Sequence, residues 1–315
     1  MSARIGSAGA ARASRPEHRD APAGFRTWAG TVDVPDAPVE TPWDVFEVVD
    51  VVRRAAATGR RVHPAGSGHS FTGVAAPRQP GPGTSLRLRH LSGVVDDSQA
   101  GEGLLTLGAG TPLHALPGLL APYGLALENM GDIDRQTLTG AVSTGTHGTG
   151  LALGGLAPHR VVGPSHEVFV SHRTVRFREM EYGVPLADLP EVMAEVQAVI
   201  RRRRWPVGFP LEVRSVAGDD LWLSMAHGGP RAFVAVYTVH GDGRARAWFA
   251  ELERILVAAG GRPHWGKMHS LGAAELAPLY PRMGDFLALR RQLDPDGLFG
   301  NASTDRVLGL TARRG

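Results

Sequence analysis

Apolar residues Val45, Val48, Val49 and Val52 recur at helical spacing, and Gly59 ends the run. Thr41-Pro42 stands before them. Thr41 can cap a helix, and Pro42 at a first helical position loses nothing by lacking an N–H. A helix is therefore predicted up to Gly59. A short extended piece, Arg61-Val62-His63-Pro64, follows and empties into Ala65-Gly66-Ser67-Gly68-His69-Ser70-Phe71. Leu86, Leu88, Val94-Val95 and residues 104–107 and 125–128 read as strands. Thr111-Pro112 starts a second helix, shortened or kinked by Pro117 and Pro122. This alternation of helix and strand argues for an α/β unit.

From His166 onward the pattern changes. Residues 175–182 mix apolar Val175, Phe177 and Met180 with Arg176, Arg178, Glu179 and Glu181. That predicts a half-buried strand with an irregularity. Residues 189–204 read as an amphipathic helix ending in four arginines, which suit the negative end of the helix dipole. Residues 209–216 and 232–239 read as strands, and 245–259 as a helix stopped by Gly260-Gly261. The order suggests an antiparallel sheet with helices on one face. Between the halves, residues 131–156 are rich in glycine and small hydroxyl residues. Such a stretch lets backbone pass close to a ligand, and its N–H groups can form anion-binding nests. The predicted class is α+β. The predicted organisation is a disordered tail over 1–24, an N-terminal domain over 25–160 and a C-terminal domain over 161–315.

Composition narrows the chemistry. With 43% hydrophobic residues among 315, the chain can bury a core. No apolar run approaches the ~18 residues of a membrane helix. No stretch resembles a secretory signal, so a cytoplasmic location is expected. The absence of cysteine excludes disulfides, thiolate metal sites and a cysteine nucleophile. The arginine run 201–204 could suggest nucleic acid, but the net charge is only +3 and aromatics are few. A solvated helix end is the better reading, and no nucleic-acid partner is expected. Of 34 basic residues, only Lys267 is a lysine.

Four motifs carry candidate chemistry. Gly66-Ser67-Gly68-His69-Ser70 suits close approach to a phosphate. It lacks the third glycine of the dinucleotide fingerprint and the Gly-Lys-Ser/Thr of a Walker loop. Read blandly, His69 is a loop histidine satisfied by backbone. Ser143-Thr144-Gly145-Thr146-His147-Gly148 is a second glycine-rich loop. No carboxylate stands at ligand spacing beside His69 or His147, so no metal site is expected. Glu212-Val213-Arg214 places two charges on one face of a strand. That could equally be a solvent-facing ion pair worth under ~1 kcal/mol. His264-Trp265-Gly266-Lys267 reads blandly as a surface turn. The lone lysine argues otherwise, because lysine offers a compact charge on a flexible stem that arginine cannot replace.

Taken together these motifs resemble the FAD-linked sugar-lactone and alditol oxidases of the vanillyl-alcohol oxidase superfamily: gulonolactone, arabinonolactone and alditol oxidases. Residues 62–71 are similar to their first FAD loop. Glu128-Asn129-Met130-Gly131-Asp132 through Gly150 is similar to their second. The Glu212 and Lys267 motifs resemble their substrate domain. So does the tail Leu293-Asp294-Pro295-Asp296-Gly297-Leu298-Phe299 with Arg306-Val307-Leu308-Gly309. The match covers about residues 25–158 and 166–309. It implies an FAD-binding domain of the p-cresol-methylhydroxylase type followed by an antiparallel substrate domain. It implies FAD bonded covalently through His69. Gly66, Ser67, Gly68 and Ser70 would wrap the pyrophosphate, and Ser143, Thr146, His147 and Gly148 would line the flavin. Pro64, Gly131, Asp132 and Gly140 would complete the cofactor-binding set. Glu212, Arg214 and Lys267 would face the substrate as catalytic groups. The implied reaction takes hydride from a carbinol C–H of a sugar lactone or polyol to flavin N5. Oxygen then reoxidises the flavin and hydrogen peroxide forms. The resemblance leaves peripheral membrane association and oligomeric state open.

The chain also departs from the pattern. Family members continue after the second loop with more of the FAD domain, whereas here residues 156–166 run almost directly into the substrate domain. Lost covering layers expose apolar surface at ~25 cal/mol per Å². Pro117 inside a helix, and Tyr237-Thr238 where the family strand more often carries histidine, are lesser departures. The second expectation is accordingly a truncated, non-catalytic remnant with weak or no FAD binding.

Overall fold

The computed structural model describes residues 24–77, 83–150, 175–205, 207–239, 241 and 243–310. The tail expected over 1–24 (Gly24 excepted) and the junction expected at 156–166 lie outside the described residues.

The N-terminal part is built on a small parallel sheet. Strand β1 (Val39–Glu40) leads into helix α1 (Val45–Ala57), then β2 (Arg61–Pro64) and later β3 (Gly83–Leu86). The strand order is β1-β3-β2, with His63 opposite Ser85 and Pro64 opposite Leu86. α1 starts later than Thr41. Asp44 caps it, because its carboxylate accepts the Glu47 N–H at 2.9 Å. The buried stripe is also rotated from the expected valines: Val51 and Ala55 pack on Val62 and Leu86, while Val45 is 63% exposed. Pro117 sits in the first turn of a five-residue helix, Leu116–Leu120, where proline fits without a kink. The strand expected over 125–128 does not form. Leu125 and Leu127 instead pack on the Leu113, Leu116 and Met130 cluster. The second glycine-rich stretch contains helix α2 (Leu138–Thr144), capped by Thr137 and closed by Gly145 in the left-handed region.

The C-terminal part is an antiparallel sheet covered by helices on one face. It comprises β4 (Phe177–Pro185), α3 (Leu189–Arg203), β5 (Glu212–Val216), β6 (Arg231–Val239), α4 (Ala245–Ala258) and β7 (Arg262–Pro263), with strand order β7-β4-β6-β5. β4 pairs with β6 without interruption from Phe177 opposite Val239 to Pro185 opposite Arg231, so the expected irregularity is absent. Met180, Tyr182 and Val184 share one face with Ala232, Val234 and Val236. That face packs on Val192, Val196, Leu252, Ile255 and Leu256 of α3 and α4. Each large aliphatic side chain buried there contributes about 1.5–3 kcal/mol. The opposite face of β4 carries Glu179 and Glu181. They are 2% and 1% exposed, so the strand is buried on both faces rather than half-buried. At the end of α3, Arg202 and Arg203 pair with Glu251 at 3.3 and 3.0 Å, a solvated helix end as expected.

Several contacts tie the two parts. The Phe71 N–H donates to Gly266 O at 2.7 Å, and the Gly150 N–H donates to Ser215 O at 2.7 Å. Another tie is the helix α5 (Ala302–Leu308). Asn301 caps it through Oδ1, and its Nδ2 lies 2.8 Å from Ala76 O, 3.0 Å from Gly73 O and 2.9 Å from His63 Nε2. A C-terminal side chain thus braces the turn that follows the His69 loop.

Buried histidines make the fold acid-sensitive. His269 is lowered to about 4 by burial and then by Arg306. Its folded pKa lies below the unfolded value. Its contribution to stability is therefore present above pH ~6.5 and lost as pH falls towards 4, up to about 3 kcal/mol. His63 and His264 are also lowered by burial and act in the same direction. Urea midpoints measured across that window should fall with acidification, and His269→Asn should flatten the slope. An unchanged slope would assign the sensitivity elsewhere.

Candidate functional site

Strand β2 delivers the first loop. Gly68 adopts φ +74, and a Cβ there would stand 2.9 Å from the Arg26 carbonyl, so this turn needs glycine. Gly68 O accepts the Trp28 N–H at 2.8 Å, which sets the Trp28 ring beside His69, 6.1 Å between centroids and near parallel. Burial, then Lys267 and Arg135, lower the His69 pKa, so its imidazole is held neutral.

The second stretch crosses beneath. Gly148 lies so close to the Asn129 side chain and the Met130 carbonyl that a Cβ would collide with both. That close packing turns His147 inward. Its Nδ1–H donates to Gly148 O at 2.9 Å, and its Nε2 lies 3.4 Å from Glu181 Oε1. Gln136 Nε2 donates to Thr146 Oγ1 at 3.1 Å.

The sheet supplies the charges. Glu181 stands opposite Ala235, and Ala235 opposite Glu212, so the two carboxylates share a face across three strands. Glu179 stands opposite Tyr237 on that face. Arg214 bridges Glu212 at 3.1 Å and Glu181 at 3.7 Å. The Tyr237 hydroxyl donates to Glu212 Oε2 at 2.5 Å. Lys267 Nζ donates to Glu179 Oε2 at 2.5 Å and lies 5.3 Å from the Phe71 ring centroid.

Burial works against the charge on Glu181, but His147, Arg214 and Lys267 outweigh it and hold this carboxyl well below the usual range. Burial likewise opposes the Arg214 charge, and Glu181 and Glu212 overcome it. Burial, then Lys267 and its neighbours, push His264 well down, so its neutral Nδ1 accepts the Gly266 N–H at 3.0 Å. His147, Glu181 and His264 bring three ligand atoms within 4.8 Å of one another. Arg214 pairs with the same carboxylate at 3.7 Å, however, and its charge, with that of nearby Lys267, opposes a cation there.

These groups line a cleft that opens to solvent. Of the residues expected from sequence, His69, Ser70, Gly131, Asp132, Thr146, His147, Arg214 and Lys267 line it. Pro64, Gly66, Ser67, Gly68, Gly140, Ser143 and Gly148 do not line it; Gly66, Gly68 and Gly148 shape the loops, Gly140 lies within α2, and Ser143 sits exposed on it. Glu212 stands behind Arg214. Sequence reasoning missed Trp28, Gln136, Thr144 and Glu181, which also line the cleft, and Glu179 behind Lys267. The missed acids had a signal: two half-buried cations need counter-charges, and Glu179 and Glu181 share one strand face.

Comparison with known proteins follows the same division. An FAD binding domain model matches residues 37–164, and a D-arabinono-1,4-lactone oxidase model matches residues 139–307. The L-gulono-1,4-lactone dehydrogenase of Mycobacterium tuberculosis is 28% identical, over 90% of this chain and 99% of that protein. The alignment runs over 429 positions, longer than the chain itself, and so opens gaps in it. The alditol oxidase of a Streptomyces species is 26% identical over 87% of this chain and 96% of that protein. Among solved structures, cholesterol oxidase from B. sterolicum shares the fold, with a TM-score of 0.75 at 13% identity over 90% of this chain and 96% of that one.

Proposed function

The chain belongs to the D-arabinono-1,4-lactone oxidase family, and we propose from that premise that it is an FAD-dependent oxidoreductase acting on a CH–OH group of a sugar lactone or alditol. The observation that carries this reading is convergence. His69, His147, Arg214 and Lys267 come from four separate segments and meet in one cleft. In this reading residues 25–160 hold FAD and residues 161–315 hold the substrate. A cytoplasmic location belongs to the same reading; among the described residues no helix is long and apolar enough to cross a membrane.

The residues present fit the cofactor. Trp28 and Phe71 offer aromatic walls for a planar ring, glycines let the loop backbones approach closely, and two cations face the space between. Bound FAD supplies the acceptor for a hydride from the carbinol carbon and passes the electrons on to oxygen, giving hydrogen peroxide. The protein's part is electrostatic and positional. Arg214 and Lys267 are fixed where negative charge develops. Lys267 is the group in the cleft placed to handle the hydroxyl proton. Glu212, oriented by Tyr237, holds Arg214 in place. Tyr237 fills the position where the resembling strand carries histidine, and it keeps a hydrogen bond to the acid. His69, held neutral, is placed to bond the flavin ring.

Protein purified with FAD and precipitated in acid should stay yellow, and His69→Ala should release the colour. Anaerobic bleaching by a lactone or an alditol assigns the substrate. A colourless protein that takes up no added FAD would instead support the remnant reading, which the gapped alignment with relatives favours.

A further inference from the structure

Lys267 lines the cleft, and Glu179 stands directly behind it, outside the lining. Building on the oxidase reading, we propose that Glu179 receives, through Lys267, the proton that leaves the substrate hydroxyl. Glu179 acts through the lysine and does not itself touch the substrate.

Three observations on this face support that division. First, Glu179 is 2% exposed, and among the described residues its Oε1 has no hydrogen-bond partner, while Oε2 accepts from Lys267. A buried carboxylate with one bare oxygen is a poor permanent anion. Second, among the described residues the acids on this face outnumber its permanent cations. Glu179, Glu181 and Glu212 meet Lys267 and Arg214, with His147 beside Glu181. One carboxyl on this face can therefore take a proton without stranding a cation. Third, the two neighbouring acids differ in partners. Glu181 is fixed as an anion by His147 and Arg214 together, whereas among the described residues Glu179 has Lys267 alone in ion-pair contact. Burial raises the Glu179 pKa against the pull of Lys267, with Glu181 adding to the rise and Arg214 opposing it. Tyr237, facing Glu179 across the strands, has its own pKa raised by burial and by Glu179, so its hydroxyl stays protonated and does not compete.

The step balances within these groups. One Lys267 N–H proton moves to Glu179 Oε2, and the freed Nζ lone pair takes the proton of the substrate O–H. Bound FAD would accept the electron pair of the carbinol C–H bond as the C–O bond becomes a carbonyl. Lys267 begins and ends as an ammonium, so the cleft keeps its charge. Glu179 passes from carboxylate to carboxylic acid.

The lone lysine makes the test clean. Lysine labelled at Nζ with an NMR-active nitrogen gives a single side-chain signal from the whole chain. In the wild type that signal should follow a titration step above the ordinary carboxylate range, and Glu179→Gln should lose the step. In anaerobic reduction, Glu179→Gln should slow the reductive rate about a hundredfold and remove the acid limb of its pH profile. The half-saturating substrate concentration should be nearly unchanged. Glu179→Asp should restore part of the rate. If Glu179→Gln does not fold, Lys267→Arg tests the same point, since a guanidinium keeps the ion pair but does not hand on a proton; a wild-type rate there overturns the proposal. So does an Nζ signal without the step, or an unaltered rate in Glu179→Gln. A wild-type protein that no lactone or alditol bleaches overturns the oxidase reading instead, and the Nζ titration still decides whether Glu179 takes up a proton.

Discussion

Replacing Lys267 with methionine should slow substrate-driven reduction of the cofactor by about a thousandfold, within the range that a positioned proton-transfer group supplies. FAD binding should persist. The prediction rests on where the side chain sits. Lys267 reaches the cleft on a loop pinned to the first glycine-rich loop by the Phe71–Gly266 hydrogen bond. Its removal leaves Glu179 buried without its cation, but that acid already tends towards the protonated form and can discharge by taking up a proton. The lesion should therefore appear in the rate and not in the fold. Anaerobic stopped-flow bleaching, read beside a thermal melt, separates the two. A variant that melts early would show the ion pair to be structural.

Arg214→Met should cost stability as well as rate, with stability falling by about 3 kcal/mol. Arg214 is the shared partner of Glu181, which is 1% exposed, and of Glu212 at the edge of the cleft. Without the guanidinium, Glu181 keeps, among the described residues, only His147 in ion-pair range, and its carboxyl pKa rises. A carboxyl held low in the folded state stabilises above its unfolded pKa and loses that contribution as pH falls through its folded pKa. Acid unfolding of the variant should therefore begin at a higher pH than in the wild type. Adding Glu181→Gln should recover part of the loss, because the stranded charge goes with it. Strict additivity of the two changes in urea titrations would show that the pair is not coupled.

Much of the fold was legible in local pattern. The Gly59 stop, the extended Arg61–Pro64 piece, and α3 and α4 follow from spacing and punctuation alone. What periodicity could not tell was which polar face meets water. Glu179 and Glu181 alternate with Met180 and Tyr182 as they would on a half-solvated strand. Only tertiary contact with Arg214, His147 and Lys267 makes their burial tolerable. The same blindness explains Ser143. Its neighbourhood reads as loop because it is small and polar, yet Thr137 and Gly145 cap a two-turn helix that points Ser143 outward. The start of α1 slipped for a local reason: Asp44 offers a better-placed oxygen to Glu47 than Thr41 does. The residues that carry charge into the cleft were found where a residue type was unusual for this chain, as with its one lysine. They were missed where the type was ordinary and the position decided.

The Asn301 brace gives this architecture a direction in time. The turn it supports leaves the ribosome early, but the amide that fixes it is encoded 238 positions after His63. At about 5–20 residues per second, the His69 loop waits roughly tens of seconds for its support. A nascent chain therefore holds the His69 loop before it holds the amide that braces it. On the proposed reading, ribosome-stalled chains ending before Asn301 should load FAD poorly, and they are the natural controls for when colour first appears.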